Sequence, residues 1–319
     1  MLRYLVTRVA QALVVVVLVT VITFLILHLL PGGVARATLG KDATLDQLAA
    51  FNHDNGYDQP WFQQYVMYIG RLARGDLGYS YQLNQSVLDA ILQRLPKTMV
   101  LSLLSTVLAI VVAIPLGVIQ AVRRNRWADY TITSLSLLAY ATPIFFMGLL
   151  MIILFSQVWP VLPPEAPQGF TVAEVLADPA GLVLPTVTLA IVTVAVYSRY
   201  VRSSMVDNLN ENYVRTARSK GLPEWRVVLV HTLRNGLFPI IGLLGMYLPA
   251  LFSGALVVES LFNFPGMGQL FWQAALKRDF PILLGVTFII TIATVVGALL
   301  ADLLYAAADP RVRLRRSNQ

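Results

Sequence analysis

Of 319 residues, 57% are hydrophobic and only 13% are charged, with 24 Lys and Arg against 17 Asp and Glu. Soluble domains carry about 25% charged residues, so a chain with roughly half that share belongs in a bilayer. The formal charge of +7 does not mark a nucleic-acid binder, because the basic residues fall between apolar runs, and the absence of cysteine excludes disulfides, thiol nucleophiles and thiolate metal sites.

A helix needs about 20 apolar residues to cross the hydrocarbon core. Residues 9–30 meet that condition without a formal charge. Arg3 and Arg8 would also suit a signal peptide, but the run is longer than the roughly 7–15 residues of a cleavable apolar region, so it reads as an uncleaved anchor. Further spans are expected at 98–122, 132–156, 182–200, 236–258 and 282–306, six in all. Pro115 with Gly117, Pro143 with Gly148, Pro185, and Pro249 with Gly254 lie inside them and read as kinks and points of close packing. With the N-terminus in the cytoplasm, 16 Lys and Arg fall inside and 8 outside, most of the 8 in one long outer segment. The outer loop 157–181 carries Glu165, Glu174 and Asp178 and no Lys or Arg. The expectation is an all-α polytopic protein with six transmembrane helices and both termini cytoplasmic, one transmembrane domain over 1–319.

The outer segment 31–96 is too long for a connector. Trp61, Tyr65, Ile69 and Leu72 recur at helical spacing after Pro60, and Arg74-Gly75-Asp76-Leu77-Gly78 breaks that helix. Val87, Ile91 and Leu95 then form a second apolar stripe ahead of Pro96. Both stripes suit small amphipathic helices at the outer membrane surface, packed on the transmembrane bundle or open to a partner. Arg123-Arg124-Asn125-Arg126-Trp127 is a short inner turn with an aromatic anchor, and Pro160, Pro163 and Pro164 stiffen the next outer loop.

The inner loop 207–235 is a polar, basic island. Asp207 can cap a helix containing Tyr213, Val214 and Ala217, and Gly221 is the expected residue just past its end. Pro223-Glu224 opens a second helix whose apolar face is expected to be Trp225, Val228 and Leu229, with Thr232 next on it; Asn235 and Pro239 return the chain to the membrane. Two readings stand side by side: a handle for another protein, or an interface helix pair held to anionic lipid by Arg215, Arg218, Lys220 and Arg226. Further on, Glu259 near a membrane edge is either functional or a locally capping or pairing carboxylate. Trp272, Leu276 and Phe280 suit a short outer helix, and Asp302 is placed to pair with the Arg-rich tail.

What is missing narrows the mechanism. The chain has no Gly-x-x-x-x-Gly-Lys-Ser/Thr loop, no Gly-x-Ser-x-Gly elbow and no His-Glu-x-x-His; His28, His53 and His231 lie far apart. Its spans are almost free of the ionisable groups that an intramembrane enzyme or an ion-coupled carrier uses, and no clear internal repeat is visible. A pore-forming subunit without its own energy source remains, with a polar inner loop to connect it to one.

The run Tyr213-Val214-Arg215-Thr216-Ala217-Arg218-Ser219-Lys220-Gly221, with His231, Arg234-Asn235 and Pro239, resembles the EAA loop of ABC-importer permeases, more narrowly the dipeptide/oligopeptide/nickel branch. The resemblance spans nearly the whole chain: Met1-Leu2-Arg3-Tyr4 through Pro31-Gly32, Arg74 to Ser80, Arg94-Leu95-Pro96, Ile114-Pro115-Leu116-Gly117, Pro265-Gly266-Met267-Gly268, and Asp302-Leu303-Leu304-Tyr305 with Asp309-Pro310-Arg311. The long first outer loop points to the first of the two permeases in such systems. The general motif begins Glu-Ala-Ala where this chain has Arg215-Thr216-Ala217, and the Ile-x-Leu-Pro ending is absent at its usual spacing; the peptide branch varies in the same way. The resemblance implies a non-catalytic permease subunit of the bacterial cytoplasmic membrane that imports di- or oligopeptides. It implies no cofactor in this chain, and ATP and Mg on two cytoplasmic ATPase subunits. A second homologous permease and an extracytoplasmic substrate-binding protein complete the set, with the lipid bilayer as surroundings and no nucleic acid. Carried over, Arg215, Ala217, Lys220, Gly221, Leu222 and Glu224 would meet the ATPase, while His231, Arg234, Asn235 and Pro239 would set the second helix. Pro143 and Glu259 stand as candidates for the substrate path. The same architecture importing nickel-chelate, glutathione or another small solute is the nearest alternative, and a self-sufficient channel or ion-coupled carrier is the more distant one.

Overall fold

A computed structural model describes residues 2–29, 33–40, 42–247, 250–253 and 255–308. The protein is mostly helical. From the N-terminus, α1 (Leu2–His28), α2 (Gly33–Leu39), α3 (Leu45–Asp54) and α4 (Trp61–Ala73) lead to a two-stranded hairpin, β1 (Tyr79–Ser80) and β2 (Gln85–Ser86), paired antiparallel with Tyr79 opposite Ser86. Next come α5 (Val87–Leu92), α6 (Leu95–Val122), α7 (Trp127–Ala141), α8 (Ile144–Ile152) with a π-helical extension over Ile153–Val158, α9 (Val172–Ala177) and α10 (Pro179–Leu209). After α10 come α11 (Asn212–Ser219), α12 (Glu224–Arg226), a π-helical stretch Val227–Thr232 and α13 (Leu233–Gly236). The chain ends with α14 (Phe238–Tyr247), α15 (Ala250–Ser253), α16 (Leu256–Leu261), α17 (Met267–Lys277) and α18 (Phe280–Ala308).

Four stretches among the described residues are long and apolar enough to cross a membrane: Val6–Ile26, Val87–Val122, Pro179–Leu209 and Phe280–Leu300. Expected span three is broken. Trp127–Ala141 and Ile144–Val158 meet at 103°, which makes five spans if the bent pair counts as one. The cause is Pro143, which precedes α8 with its own carbonyl accepting the Phe146 and Met147 amides at 3.0 Å each, so the helix restarts in a new direction. The region of expected span five is divided among α14, α15 and α16, and Pro249 and Gly254 lie outside the described residues. Pro115 and Pro185 behave differently: α6 and α10 run through them.

α10 is the central post. Half of its apolar window is buried, against 17% for α1 at the rim. It crosses α6 at Gly117, where a Cβ would sit 2.5 Å from Val201 Cβ and 2.7 Å from the Ser198 carbonyl oxygen; only glycine lets the two helices approach so closely. Ala113, Ala121, Tyr197, Val201, Met205, Val228 and Ile240 fill the adjoining core. A second core, at the opposite end of these helices, joins Leu101, Leu184, Val258, Phe262 and Phe264.

The segment between α1 and α6 packs on the bundle. Tyr65 OH meets Thr20 Oγ1 at 3.0 Å, and Gln64 Oε1 lies 2.6 Å from His28 Nε2, which fastens α4 to α1. Val87, Ala90 and Ile91 bury themselves against Met267, Leu270, Ile282 and Val286. The hairpin explains part of the Arg74–Ser80 motif: buried Ser80 donates to the carboxylate of Asp279, just ahead of α18. The short helix expected around Trp272 and Leu276 is α17, where both are exposed while Leu270 and Ala274 face inward; Phe280 instead belongs to α18. The side chain of Asp302 and residues 309–319 lie outside the described residues.

Candidate coupling site

The segment between α10 and α14 forms a compact elbow. α10 continues through Asp207 to Leu209, so Asp207 does not cap α11; Glu211 holds the cap position and its side chain makes no capping bond. α11 buries Val214 and Ala217 against Val227, with Leu222 alongside, while Tyr213 turns outward and donates its hydroxyl to Asn208 Oδ1 at 2.7 Å.

α11 ends in a Schellman arrangement. The Gly221 amide donates to the Arg218 carbonyl at 2.9 Å, the Leu222 amide reaches back to the Ala217 carbonyl at 3.4 Å, and the Leu222 and Ala217 side chains meet beneath the turn. Gly221 has φ +74°, and a Cβ there would meet nothing within 4 Å. Its necessity is torsional, since a side chain would fit the space but not the backbone conformation. Arg218 closes the elbow from outside: its Nη2 and Nε donate to Glu224 Oε1 and Oε2 at 2.6 and 3.2 Å. This two-bond pair is geometrically specific. Arg218 holds the Glu224 carboxyl below its ordinary range, and Glu224 raises the guanidinium in return.

Beyond Glu224 the helix widens into its π-helical stretch, with Thr232 Oγ1 donating to the Val227 carbonyl at 3.0 Å. The extra residue per turn rotates the inward face. Val227, Val228 and Thr232 are buried, whereas Trp225 and Leu229 are exposed, so two of the three residues expected on the apolar face point outward. Arg226 lies over the Trp225 ring at 5.8 Å. Gly236 then lets α13 press on α10, a Cβ there lying 2.8 Å from Met205 Sδ.

The predicted site residues therefore separate. Arg215, Lys220, Gly221, and Glu224 are exposed on one elbow, and Leu222 is half-buried. Ala217 is buried inside it and shapes the surface rather than forming it. His231, Arg234 and Asn235 lie along the return helix, and Pro239 falls in α14, its side chain outside the described residues.

Glu259 sits far from this elbow, in a closed polar knot. It is 1% exposed. Its Oε2 accepts the Gly268 and Gln269 amides at 2.7 and 3.1 Å, and its Oε1 accepts the Thr98 hydroxyl at 2.9 Å and the Ala255 amide at 3.4 Å. Thr98 Oγ1 in turn accepts the Met267 amide at 2.7 Å. A carboxylate is thus aimed at the orphan amides and positive end of α17, the local capping alternative of the two the sequence left open. Gly266 and Gly268 make room for it: a Cβ on Gly268 would lie 2.5 Å from Leu256 Cα, and one on Gly266 would collide with Glu259 and Thr98. The carboxylate has no free face toward a passing solute. Sequence reasoning singled out Glu259 and the Pro265–Gly268 motif but not Thr98, whose partner is 161 residues away.

A mostly helical bundle with several membrane-crossing helices and an exposed polar elbow defines a polytopic membrane protein. Comparison with known proteins narrows this. Residues 113–314 match the family of binding-protein-dependent transport system inner membrane components, and residues 1–102 match the N-terminal family of such membrane components. The chain belongs to this transport permease family. It is 36% identical to the oligopeptide transport system permease protein AppB of Bacillus subtilis, over 98% of this chain and 99% of that protein. It is also 36% identical to a probable D,D-dipeptide transport system permease protein, DdpB, of Escherichia coli K12 (92% of each), and 34% identical to the glutathione transport system permease protein GsiC of Escherichia coli O6:H1 (99% and 100%).

Proposed function

We propose that this chain is the passive permease subunit of an ATP-driven importer of di- and oligopeptides in a bacterial cytoplasmic membrane. Full-length similarity to permeases named for peptide transport carries the reading. Six spans with both ends cytoplasmic fit the 16-to-8 distribution of basic residues, with the divided α14–α16 region supplying the sixth crossing. Residues 207–235 then face the cytoplasm, and the elbow at Gly221 docks on one of two ATPase subunits that hold ATP and Mg. A second homologous permease completes the pore and an extracytoplasmic binding protein delivers the cargo.

In this reading the permease does no chemistry. Closure of the ATPases on ATP moves the paired elbows, and the helices rooted in them switch the pore between inward- and outward-open states. Such a lever transmits motion only if it is stiff, and the Schellman turn, the Ala217–Leu222–Val227 packing and the Arg218–Glu224 fork supply that stiffness. Glutathione is itself a tripeptide, so the relative named for it stays within the same cargo class.

The test is Gly221→Val in the assembled transporter, reading peptide uptake and cargo-stimulated ATP hydrolysis. Both are expected to collapse while the subunits still co-purify. Normal uptake in a normally assembled complex would remove the coupling role. Competition of labelled dipeptide uptake by longer peptides and by glutathione assigns the cargo.

A further inference from the structure

An open groove of about 590 Å³ lies between α7 and α10, away from both the elbow and the Glu259 knot. Val196, Arg199, Tyr200 and Ser203 recur at intervals of three and four residues, so α10 presents them as one stripe, and Thr133 and Tyr140, seven apart, face them from α7.

The two arginines of the groove have different fates. Arg202 is committed: its Nε and Nη2 donate to the two carboxylate oxygens of Asp129 at 2.6 and 2.7 Å. Asp129, 2% exposed, also accepts the Asn125 amide at 3.0 Å and the Thr133 hydroxyl at 3.4 Å. This pair pins α7 to α10 beside the 123–126 turn. Arg199 is exposed in the same groove, and among the described residues no carboxylate pairs with it. An arginine within a membrane-crossing helix calls for an anion.

The groove is also graded along its length. Exposed Trp127 at the start of α7 marks the level of the membrane interface near the basic end. From Trp127 to Tyr140 the helix rises about 20 Å. Arg199, Tyr200 and Ser203 lie toward the Arg202–Asp129 pair, while Val196 and the ring of Tyr140 line the other end, with Leu137 exposed on the same helix as Tyr140. The groove thus runs from charge to less polar surface, the order found in a phospholipid. Basic pockets between transmembrane helices on the cytoplasmic side take anionic head groups.

We propose that the α7–α10 groove binds an anionic phospholipid, its phosphate on Arg199 with the Tyr200 and Ser203 hydroxyls as donors, and an acyl chain along Val196 and Tyr140. The proposal rests on the cytoplasmic placement of the 123–126 turn given above. A peptide carboxylate shares the oxyanion chemistry, and the apolar continuation of the groove favours the lipid.

The full chain, with the subunits that co-purify with it, is reconstituted in nanodiscs of phosphatidylcholine and phosphatidylglycerol, and retained lipid is counted by native mass spectrometry. Wild type is expected to retain phosphatidylglycerol preferentially. Arg199→Gln is expected to reduce that preference about fivefold, while Arg124→Gln in the exposed inner turn changes it by less than about twofold. Equal retention of both lipids by wild type, or an unchanged preference in Arg199→Gln, overturns the proposal. So does release of the lipid by excess dipeptide, which assigns the groove to cargo, or cross-linking of Tyr200→Cys to another subunit, which assigns it to a protein interface. The chain has no native cysteine, so Arg124→Cys labelled by an impermeant maleimide reports topology separately. Labelling from the outer side would remove the topology without depending on the lipid result.

Discussion

The Glu259 knot and the Gly221 elbow each bend the chain at glycine beside a glutamate, yet glycine is required for opposite reasons. In the knot the space is missing: a Cβ on Gly268 would lie 2.5 and 2.6 Å from Leu256 backbone atoms. At the elbow the space is free and the torsion is the constraint, with φ +74°. The carboxylates differ in the same sense. Glu259 is enclosed and accepts four hydrogen bonds, whereas the Glu224 side chain is 58% exposed and pairs with one neighbour six residues away. One region is held by desolvated bonds, one of them to a residue 161 positions away, and the other by local chain geometry.

The largest effect that follows is at Gly268. Gly268→Val drives a side chain into the backbone of α16, and loss of about 3 kcal/mol or more is expected, read as failure to recover assembled complex. Glu259→Ala is of comparable size. It leaves the buried Gly268 and Gln269 amides and the Thr98 hydroxyl without an acceptor, at about 1–3 kcal/mol for each orphaned group. Thermal unfolding in detergent measures it, and Glu259→Gln, which keeps one carbonyl acceptor, is expected to recover part of the loss. Gly221→Val strains a single residue by about 1–3 kcal/mol, all of it local to an exposed turn. Here the readouts are expected to part: assembly survives and ATPase coupling is lost. If Gly221→Val fails to assemble in the manner of Gly268→Val, the contrast between the two glycines is gone.

The two regions were not equally legible. The elbow is built from contacts a few residues apart, so Gly221, Pro223 and Glu224 announce it in the sequence. Its inward face departs from a regular 3.6-residue period: across the π-helical stretch Val227–Thr232 the buried residues are Val227, Val228 and Thr232, and Leu229 is carried outward, while Trp225 is exposed ahead of that stretch. Asp207 does not cap α11 because α10 extends to Leu209, with Asn210 at its C-cap position. The knot could be noticed but not assembled. Nothing in the neighbourhood of Thr98 says that it will meet residues 259 and 267, and burial of Glu259 follows only from the meeting of α6, α16 and α17. Proline shows the same limit. Pro115, Pro143 and Pro185 read alike, yet α6 and α10 pass through theirs and only Pro143 turns the chain by 103°.

The smallest predicted effect separates shape from stability at the elbow. Arg218 and Glu224 are both substantially exposed, so their pair is worth about 0.2–1 kcal/mol in folding. Arg218→Glu alone places two like charges across the turn, and it is expected to reduce cargo-stimulated ATP hydrolysis while leaving the melting temperature nearly unchanged. Arg218→Glu with Glu224→Arg restores the attraction in reversed order and is expected to restore most of the stimulation, provided that the pair acts by bracing the turn. A double variant as impaired as the single one would mean that Arg218 meets the ATPase directly. The pH dependence follows from the sign of the shift. Arg218 depresses the Glu224 carboxyl below its ordinary value of 4.5, so the bracing is complete above that value and is lost only as pH falls through the lower folded one. Coupling efficiency should therefore be flat from pH 6 to 8 as far as this pair is concerned. A fall in stimulation on acidification within that range that is absent from the Glu224→Gln variant would contradict the assignment.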